Sequence, residues 1–175
     1  MIGLIVEDKN TEVIEEICRV INVKCKIRRQ RGKISIKNAT SYIKDLFKYN
    51  CEKILVLSDA DCNEEGERRR LQRIYTFVPN DIKNRVHICI IRNEIECWVL
   101  ADENALTNFF RSKIQEIENP ESLHDGKEKL EEIFKKHDKN YYSKSLKEIA
   151  GKLDIDRVRK KASSFNDFYN IVNDC

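Results

Sequence analysis

Apolar positions along the chain fall into two rhythms. Ile2 to Val6, Ile54 to Leu57 and Val86 to Ile91 are short, mainly apolar runs, the last interrupted by His87. Such runs suit strands covered on both faces, as in a parallel sheet flanked by helices. Val23 to Ile27 alternates apolar with basic residues and predicts a more exposed strand. Between these runs the spacing becomes helical. Val13, Ile14, Ile17, Val20 and Ile21 make one apolar face behind a cap at Asn10 or Thr11, and further helices are predicted over 36–49 and 64–77, the latter stopped by Pro79-Asn80. From Glu94 onward the strand signal disappears. Helices are predicted over 94–100 and 101–110, anchored by Trp98, Val99, Leu106 and Phe109, then a break at Asn119-Pro120, then helices over 127–136, 144–151, 156–161 and 165–172. Alternating strand and helix in the first part predicts an α/β fold, a doubly wound and mainly parallel sheet, with a C-terminal helical extension. The expected organisation is an α/β domain at 1–110 and a helical extension packed on it at 111–175. Connections should be short and right-handed. In such sheets the first strand lies beside the third in sequence, with another strand on its far side.

Composition narrows the class. An apolar share of 41% supports a real core, and the 36% of charged residues is nearly balanced, 33 basic against 30 acidic. A net charge of +3 does not by itself indicate a nucleic-acid partner, so the arrangement of charge has to carry that argument. The seven cysteines are odd in number and include no C-x-x-C pair. That pattern fits free thiols in a reducing cytoplasm, and argues against a disulfide framework and a structural zinc site. No signal pattern opens the chain, and no stretch approaches the roughly eighteen apolar residues of a membrane span. A cytoplasmic location without a membrane partner is expected.

Candidate chemistry concentrates where the run from Lys53 to Leu57 ends in Ser58-Asp59-Ala60-Asp61. Ligands of open α/β sheets bind at the carboxyl ends of strands. Side chains at i and i+2 of an extended segment point the same way, so Asp59 and Asp61 should project together with Ala60 turned aside. Two carboxylates held that close call for a proton or a cation between them. Mg²⁺, a hard cation that takes oxygen ligands, is the natural partner, with Mn²⁺ as a substitute. Strand one ends in Glu7. If it neighbours the Asp59 strand at about 4.8 Å, Glu7, Asp59 and Asp61 converge at one sheet edge. Each acid also has a plainer reading: Asp-x-Asp as a turn or helix cap, Glu7 as an acid complementing a helix N-terminus. Basic residues cluster at Lys24, Lys26, Arg28, Arg29, Arg31 and Lys33, with a basic loop expected over 28–33, and again at Arg68-Arg69-Arg70. Without interleaved aromatics these runs suit phosphate contact rather than base reading, or else a solvated surface. His87, His124 and His137 are scattered and suggest no metal or catalytic role, and the Cys62 thiolate suits softer ions than Mg²⁺.

Glu7 after one strand, Asp59-x-Asp61 after another and then Glu65-Gly66-Glu67 resemble the TOPRIM domain of topoisomerases, primases and overcoming-lysogenization-defect nucleases. The run Leu4-Ile5-Val6-Glu7-Asp8-Lys9-Asn10-Thr11-Glu12 is similar to the Val-Glu-Gly-x-Thr-Glu opening of the last group, with Asp8 in place of Gly and Glu12 one position further on. Ile90 to Asp102, containing Glu94-Ile95-Glu96-Cys97-Trp98, resembles the Glu-x-Glu-Ala-Trp-Leu-Leu-Ala-Asp signature of a TOPRIM-like bacterial and archaeal family without a settled function. Asn119-Pro120-Glu121-Ser122, Lys127, Tyr142-Ser143-Lys144 and Ser164-Phe165-x-x-Phe168 extend that resemblance along nearly the whole chain. It implies phosphoryl transfer at a nucleic-acid backbone, DNA rather than RNA, in a defence or DNA-repair setting, with an ATPase as companion. It also implies roles: Asp59 and Asp61 as Mg²⁺ ligands, Glu7 as ligand or general acid/base, and Glu96 as a further ligand. Glu94 and Glu96 point apart on a helix, so only one of them should reach the site.

The chain has no room for the tyrosine-bearing domain of a topoisomerase or the extra parts of a primase. A metal-dependent hydrolytic nuclease is the sharper expectation, with Arg28, Arg29, Arg31, Arg68 and Arg69 meeting the backbone. The alternative of another class is a non-catalytic TOPRIM-fold subunit that binds or regulates an ATPase. A phosphoacceptor receiver fits less well, because Asp-x-Asp followed by Glu-Gly-Glu is foreign to it.

Overall fold

The computed structural model describes residues 1–174. Among them, four strands, β1 (Ile2–Glu7), β2 (Cys25–Gln30), β3 (Lys53–Asp59) and β4 (Val86–Ile91), form one sheet in the order β2-β1-β3-β4. Every pairing is parallel, with Leu4 opposite Ile27 and Leu55, and Leu57 opposite Cys89. The expected neighbourhood of β1 and β3 is therefore present. Parallel strands need covered crossovers, and helices supply them. They are α1 (Thr11–Val20), α2 (Ile36–Lys48) and α3 (Glu64–Gln72), the last continued by a 3-10 turn at Arg73–Thr76.

Alternation along each strand builds two cores. Leu4, Val6, Leu55, Leu57, Cys89 and Ile91 face one layer, while Ile5, Ile54, Val56, Val86 and Ile90 face the other. The second layer is α2, α3 and the turn after α3. The first is larger. It combines α1 with the helices that follow β4: α4 (Glu96–Leu100), α5 (Glu103–Phe110), α6 (Gly126–Lys136), α7 (Ser143–Ala150), α8 (Ile155–Lys161) and α9 (Ser163–Asn173). Residues beyond 110 thus share a core with β1 and β3.

One difference from the expected elements matters. β2 begins at Cys25 and runs through Arg28 and Arg29 to Gln30, so these arginines lie in a strand rather than in a basic loop. The reason is pairing: the ladder continues as long as β1 does, to Glu7 opposite Gln30. As an edge strand β2 stays half-exposed, which suits its alternating charge.

The C-terminal helices are fastened by polar contacts as well as by packing. Trp98 is fully buried, donates from Nε1 to Ser164 Oγ at 2.8 Å and packs against Phe165 and Phe168 with ring centroids 5.1 and 5.5 Å away. Glu121 accepts from the Ser163 and Ser164 amides at 2.8 and 3.0 Å, capping α9 from across the chain. Asp102 caps α5 and also takes the Asp154 amide at 2.7 Å, joining two helix starts. At Gly126 a Cβ would come within 2.6 Å of Cys97 Sγ, so glycine permits the close approach of α6 to α4.

Trp98→Ala is expected to destabilise the protein by about 3–5 kcal/mol in urea denaturation, the usual cost of emptying a large aromatic site. Trp98 is the single tryptophan. Its fluorescence transition should coincide with loss of far-UV helical signal if the shared core makes one cooperative unit, and two separated transitions would show the C-terminal helices to be independent.

Candidate acid cluster at the carboxyl edge of the sheet

The site forms where β1 and β3 stop. β1 ends in Glu7, and the next residues, Asp8–Asn10, tighten into a 3-10 turn instead of leaving the sheet. Because β3 lies alongside, that turn sits over the tip of β3. Asn10 Nδ2 donates to both Asp59 oxygens, at 3.0 and 3.1 Å, and Lys9 Nζ stands 2.8 Å from Asp59 Oδ2. Asp59 is 1% exposed. Its burial raises its pKa to about 6, against the opposing pull of Lys9 and Asn10. For Lys9, burial works against the charged form, yet the Asp59 carboxylate outweighs it and the ammonium pKa is raised.

Ser58, next to Asp59 at the end of the apolar part of β3, connects two more acids. Its Oγ lies 2.9 Å from Glu7 Oε1 and 2.6 Å from Glu67 Oε1, and all three residues are buried. A hydroxyl has one hydrogen and cannot donate to two carboxylates at once. Burial raises the pKa of Glu7. Glu67 is also desolvated, but Arg70 grips both its oxygens from Nε and Nη2 and Ser58 adds to this, so its pKa is lowered. The contacts are satisfied when Glu7 carries a proton, donates to Ser58, and Ser58 donates to Glu67.

Asp61 behaves differently from the expectation of two parallel carboxylates. The extended alternation ends at Ala60, whose amide donates to Ile91 O at 2.9 Å. Asp61 and Cys62 then take left-handed conformations, with φ of 44° and 64°. Asp61 is half-exposed and its carboxylate goes to Lys33 Nζ at 2.8 Å, an ammonium also 3.9 Å from Glu67 Oε2. Asp61 remains within the same field, since its charge raises the pKa of Glu7. Asn93, in the loop after β4, is left-handed too, with φ of 56°, and its carbonyl accepts the Asp61 amide at 3.3 Å. Next, Asn63 caps α3 by accepting the Gly66 amide at 3.1 Å. A Cβ on Gly66 would fall 2.4 Å from the Asn63 side-chain nitrogen, so the glycine between Glu65 and Glu67 protects that cap.

The fourth predicted acid, Glu96, opens α4. Glu96 is buried and accepts from Tyr141 Oη at 2.7 Å. Glu94 accepts the Lys127 amide at 2.9 Å; burial raises its pKa, and Lys9 is among the charges acting on it. The predicted arginines have acidic partners on the surface: Arg28 with Asp45, Arg29 with Glu15, Arg68 with Glu64 and Arg69 with Glu65. Arg31 is exposed and forms no ion pair among the described residues. Sequence reasoning missed Lys9, Asn10, Ser58 and Lys33 as members of the site. The available signal was the strand order, which stacks whatever follows Glu7 onto whatever ends β3.

As to a metal, the donors are hard oxygens of the right kind for Mg²⁺, but among the described residues no group of three His, Cys, Asp or Glu side chains surrounds a common point. Mg²⁺ commonly takes one or two carboxylates and completes its shell with water and substrate phosphate. Asp59, Asp61 and Glu7 are donors of that chemistry, and both Asp59 oxygens already accept from Asn10.

Burial of Asp59 also has a consequence for stability. Its folded-state pKa of about 6 exceeds its ordinary 3.8, so between these values the folded chain holds a proton that the unfolded chain has released. Its contribution is present at low pH and is lost as pH rises through about 6. The stability of wild type relative to Asp59→Asn is expected to decline between pH 4 and 6 and to level off above, measured by urea denaturation across pH. A flat difference would show that Asp59 is not desolvated.

Comparison with known proteins places the chain without assigning it an activity. No curated protein and no solved structure matches it. A family model described as "Domain of unknown function (DUF4276)" matches residues 7–173. That match spans Glu7, the tip of β3 and all the C-terminal helices, and the chain belongs to this family.

Proposed function

We propose that the protein is a Mg²⁺-dependent nuclease of the TOPRIM type, hydrolysing phosphodiester bonds of a nucleic-acid backbone, DNA rather than RNA. One observation carries this reading. Asp59, almost fully buried and with a raised pKa, lies beside Glu7 at the carboxyl edge of the sheet, with Asp61 in the same field. A desolvated acid with specific charged partners at a ligand-binding edge is the kind of group that catalytic sites contain. The TOPRIM resemblance of Glu7, Asp59-x-Asp61 and Glu65-Gly66-Glu67 supports the same chemistry.

Asp59 and Asp61 would hold the metal, with Glu7 as a further ligand or as the proton carrier. When bound, Mg²⁺ supplies charge neutralisation at the phosphate and activation of water. Glu7 Oε1, in contact with Ser58 Oγ, can take up or release a proton, and Ser58 links it to the Glu67 carboxylate. Asn10 orients Asp59 through both oxygens. Arg31 and the ion-paired Arg28, Arg29, Arg68 and Arg69 would contact backbone phosphates. Exposed ion pairs are weak enough to exchange an internal carboxylate for a phosphate.

A second reading draws on a different observation. Asp59 and Asp61 each already face a lysine, as expected of a TOPRIM-fold subunit that binds or regulates an ATPase without catalysis. One assay decides between them. Nicking of supercoiled plasmid with Mg²⁺ or Mn²⁺ is expected for wild type, with a loss of about a hundredfold or more in Asp59→Asn and Asp61→Ala. Cleavage that survives Asp61→Ala, or no cleavage by wild type, removes the nuclease and favours the subunit.

A further inference from the structure

The partners of the acid cluster are of two kinds. Some are fixed. Asn10 is 3% exposed and holds both Asp59 oxygens, while Arg70 holds both Glu67 oxygens and is itself tied to the Ile34 carbonyl at 2.5 Å. Others enter from solvent. The Lys9 and Lys33 side chains are 54% and 51% exposed, yet each ammonium ends 2.8 Å from a carboxylate oxygen, on Asp59 and Asp61 respectively. Lys9 comes from the turn after β1 and Lys33 from the loop after β2, so they reach the cluster from neighbouring strand ends. If Lys9 withdraws, Asn10 still holds Asp59; if Lys33 withdraws, Arg70 still holds Glu67 and the Asp61 carboxylate is opened to a new partner.

An ammonium and a divalent cation compete for one carboxylate oxygen, because their positive charges repel at that range. A long, half-solvated lysine can leave such an oxygen at modest cost if another anion receives its charge. A nucleic-acid phosphate is such an anion.

We infer that Lys9 and Lys33 are releasable counter-ions that occupy the metal-binding oxygens of Asp59 and Asp61 in the free protein and transfer to substrate phosphate when metal and nucleic acid bind together. The inference rests on the metal reading above and adds its regulation. Metal and polyanion then promote each other's binding, because each removes what excludes the other. The free protein binds divalent metal weakly.

The test is Mn²⁺ affinity, measured by the electron paramagnetic resonance of free Mn²⁺, with and without a short oligothymidylate in a buffer free of other divalent ions. Wild type is expected to bind Mn²⁺ roughly tenfold more tightly when the oligonucleotide is present. Lys9→Met and Lys33→Met are each expected to bind Mn²⁺ roughly tenfold more tightly than wild type without oligonucleotide, and to gain less from its addition. Lys44→Met removes the same charge from exposed α2 and should behave as wild type, which separates a local plug from general electrostatics. Wild-type Mn²⁺ binding that is unchanged or weakened in both site variants overturns the counter-ion role and leaves the metal site standing. An equal gain in Lys44→Met overturns it too. Absence of Mn²⁺ binding in every form, with and without oligonucleotide, overturns the metal reading and this inference together.

Discussion

The structure depends on one constraint: a carboxylate, Asp59, is held out of water at the tip of a central strand. Its neighbours must offset a desolvation penalty that would otherwise expel or neutralise it. Asn10 and Lys9 offset part of it, and both come from the turn that follows β1, while burial prevails and keeps the Asp59 pKa raised. That turn can lie over Asp59 only because β1 and β3 are adjacent and parallel. The sheet order and the site are thus one fact seen at two scales. Ser58 repeats the theme one residue earlier, where it joins Glu7 from β1 to Glu67 from α3.

The C-terminal helices contribute to the site as well as to the core. The acidic loop after β3 is pinned to the loop after β4 through the Ala60 and Asp61 amides. The β4 loop is pinned in turn: Asn93 Nδ2 donates to the carbonyls of Glu121 and Leu123, and Glu121 caps α9. Cys62 Sγ donates to the His124 carbonyl at 3.3 Å, a second tie between the acidic loop and the same segment. The helical layer therefore braces the backbone at the three left-handed residues Asp61, Cys62 and Asn93. The acids are thus held on a braced backbone with half-exposed lysines facing two of them, the arrangement on which the proposed metal and phosphate chemistry rests.

Much of the fold was legible in the chain because buried parallel strands have an unmistakable signature. Ile54 to Leu57 and Val86 to Ile91 are apolar on both faces, and the helices after Glu94 show a clear 3.6-residue spacing. β2 was legible only in part. An edge strand carries charge, so Arg28 and Arg29 read as loop although the ladder to β1 includes them. Of the site, Glu7 and Asp59 were visible as acids closing apolar runs. The position of Asp61 was not, since alternation says nothing about where a strand stops and a left-handed turn begins. Lys9 and Lys33 were invisible for a related reason: a lysine in a loop looks solvated until the topology shows which carboxylate it can reach. Glu96, the acid that the motif points to, accepts from Tyr141, and Lys9 of the cluster is among the charges acting on its neighbour Glu94.

The most direct test of the account is a crystal grown with Mn²⁺ and a short oligonucleotide, its metal located by anomalous scattering. The account predicts an anomalous peak in contact with Asp59 and with Asp61 or Glu7, and Lys9 and Lys33 turned toward a phosphate. Lysines still seated on Asp59 and Asp61, with no peak between these acids, would contradict it.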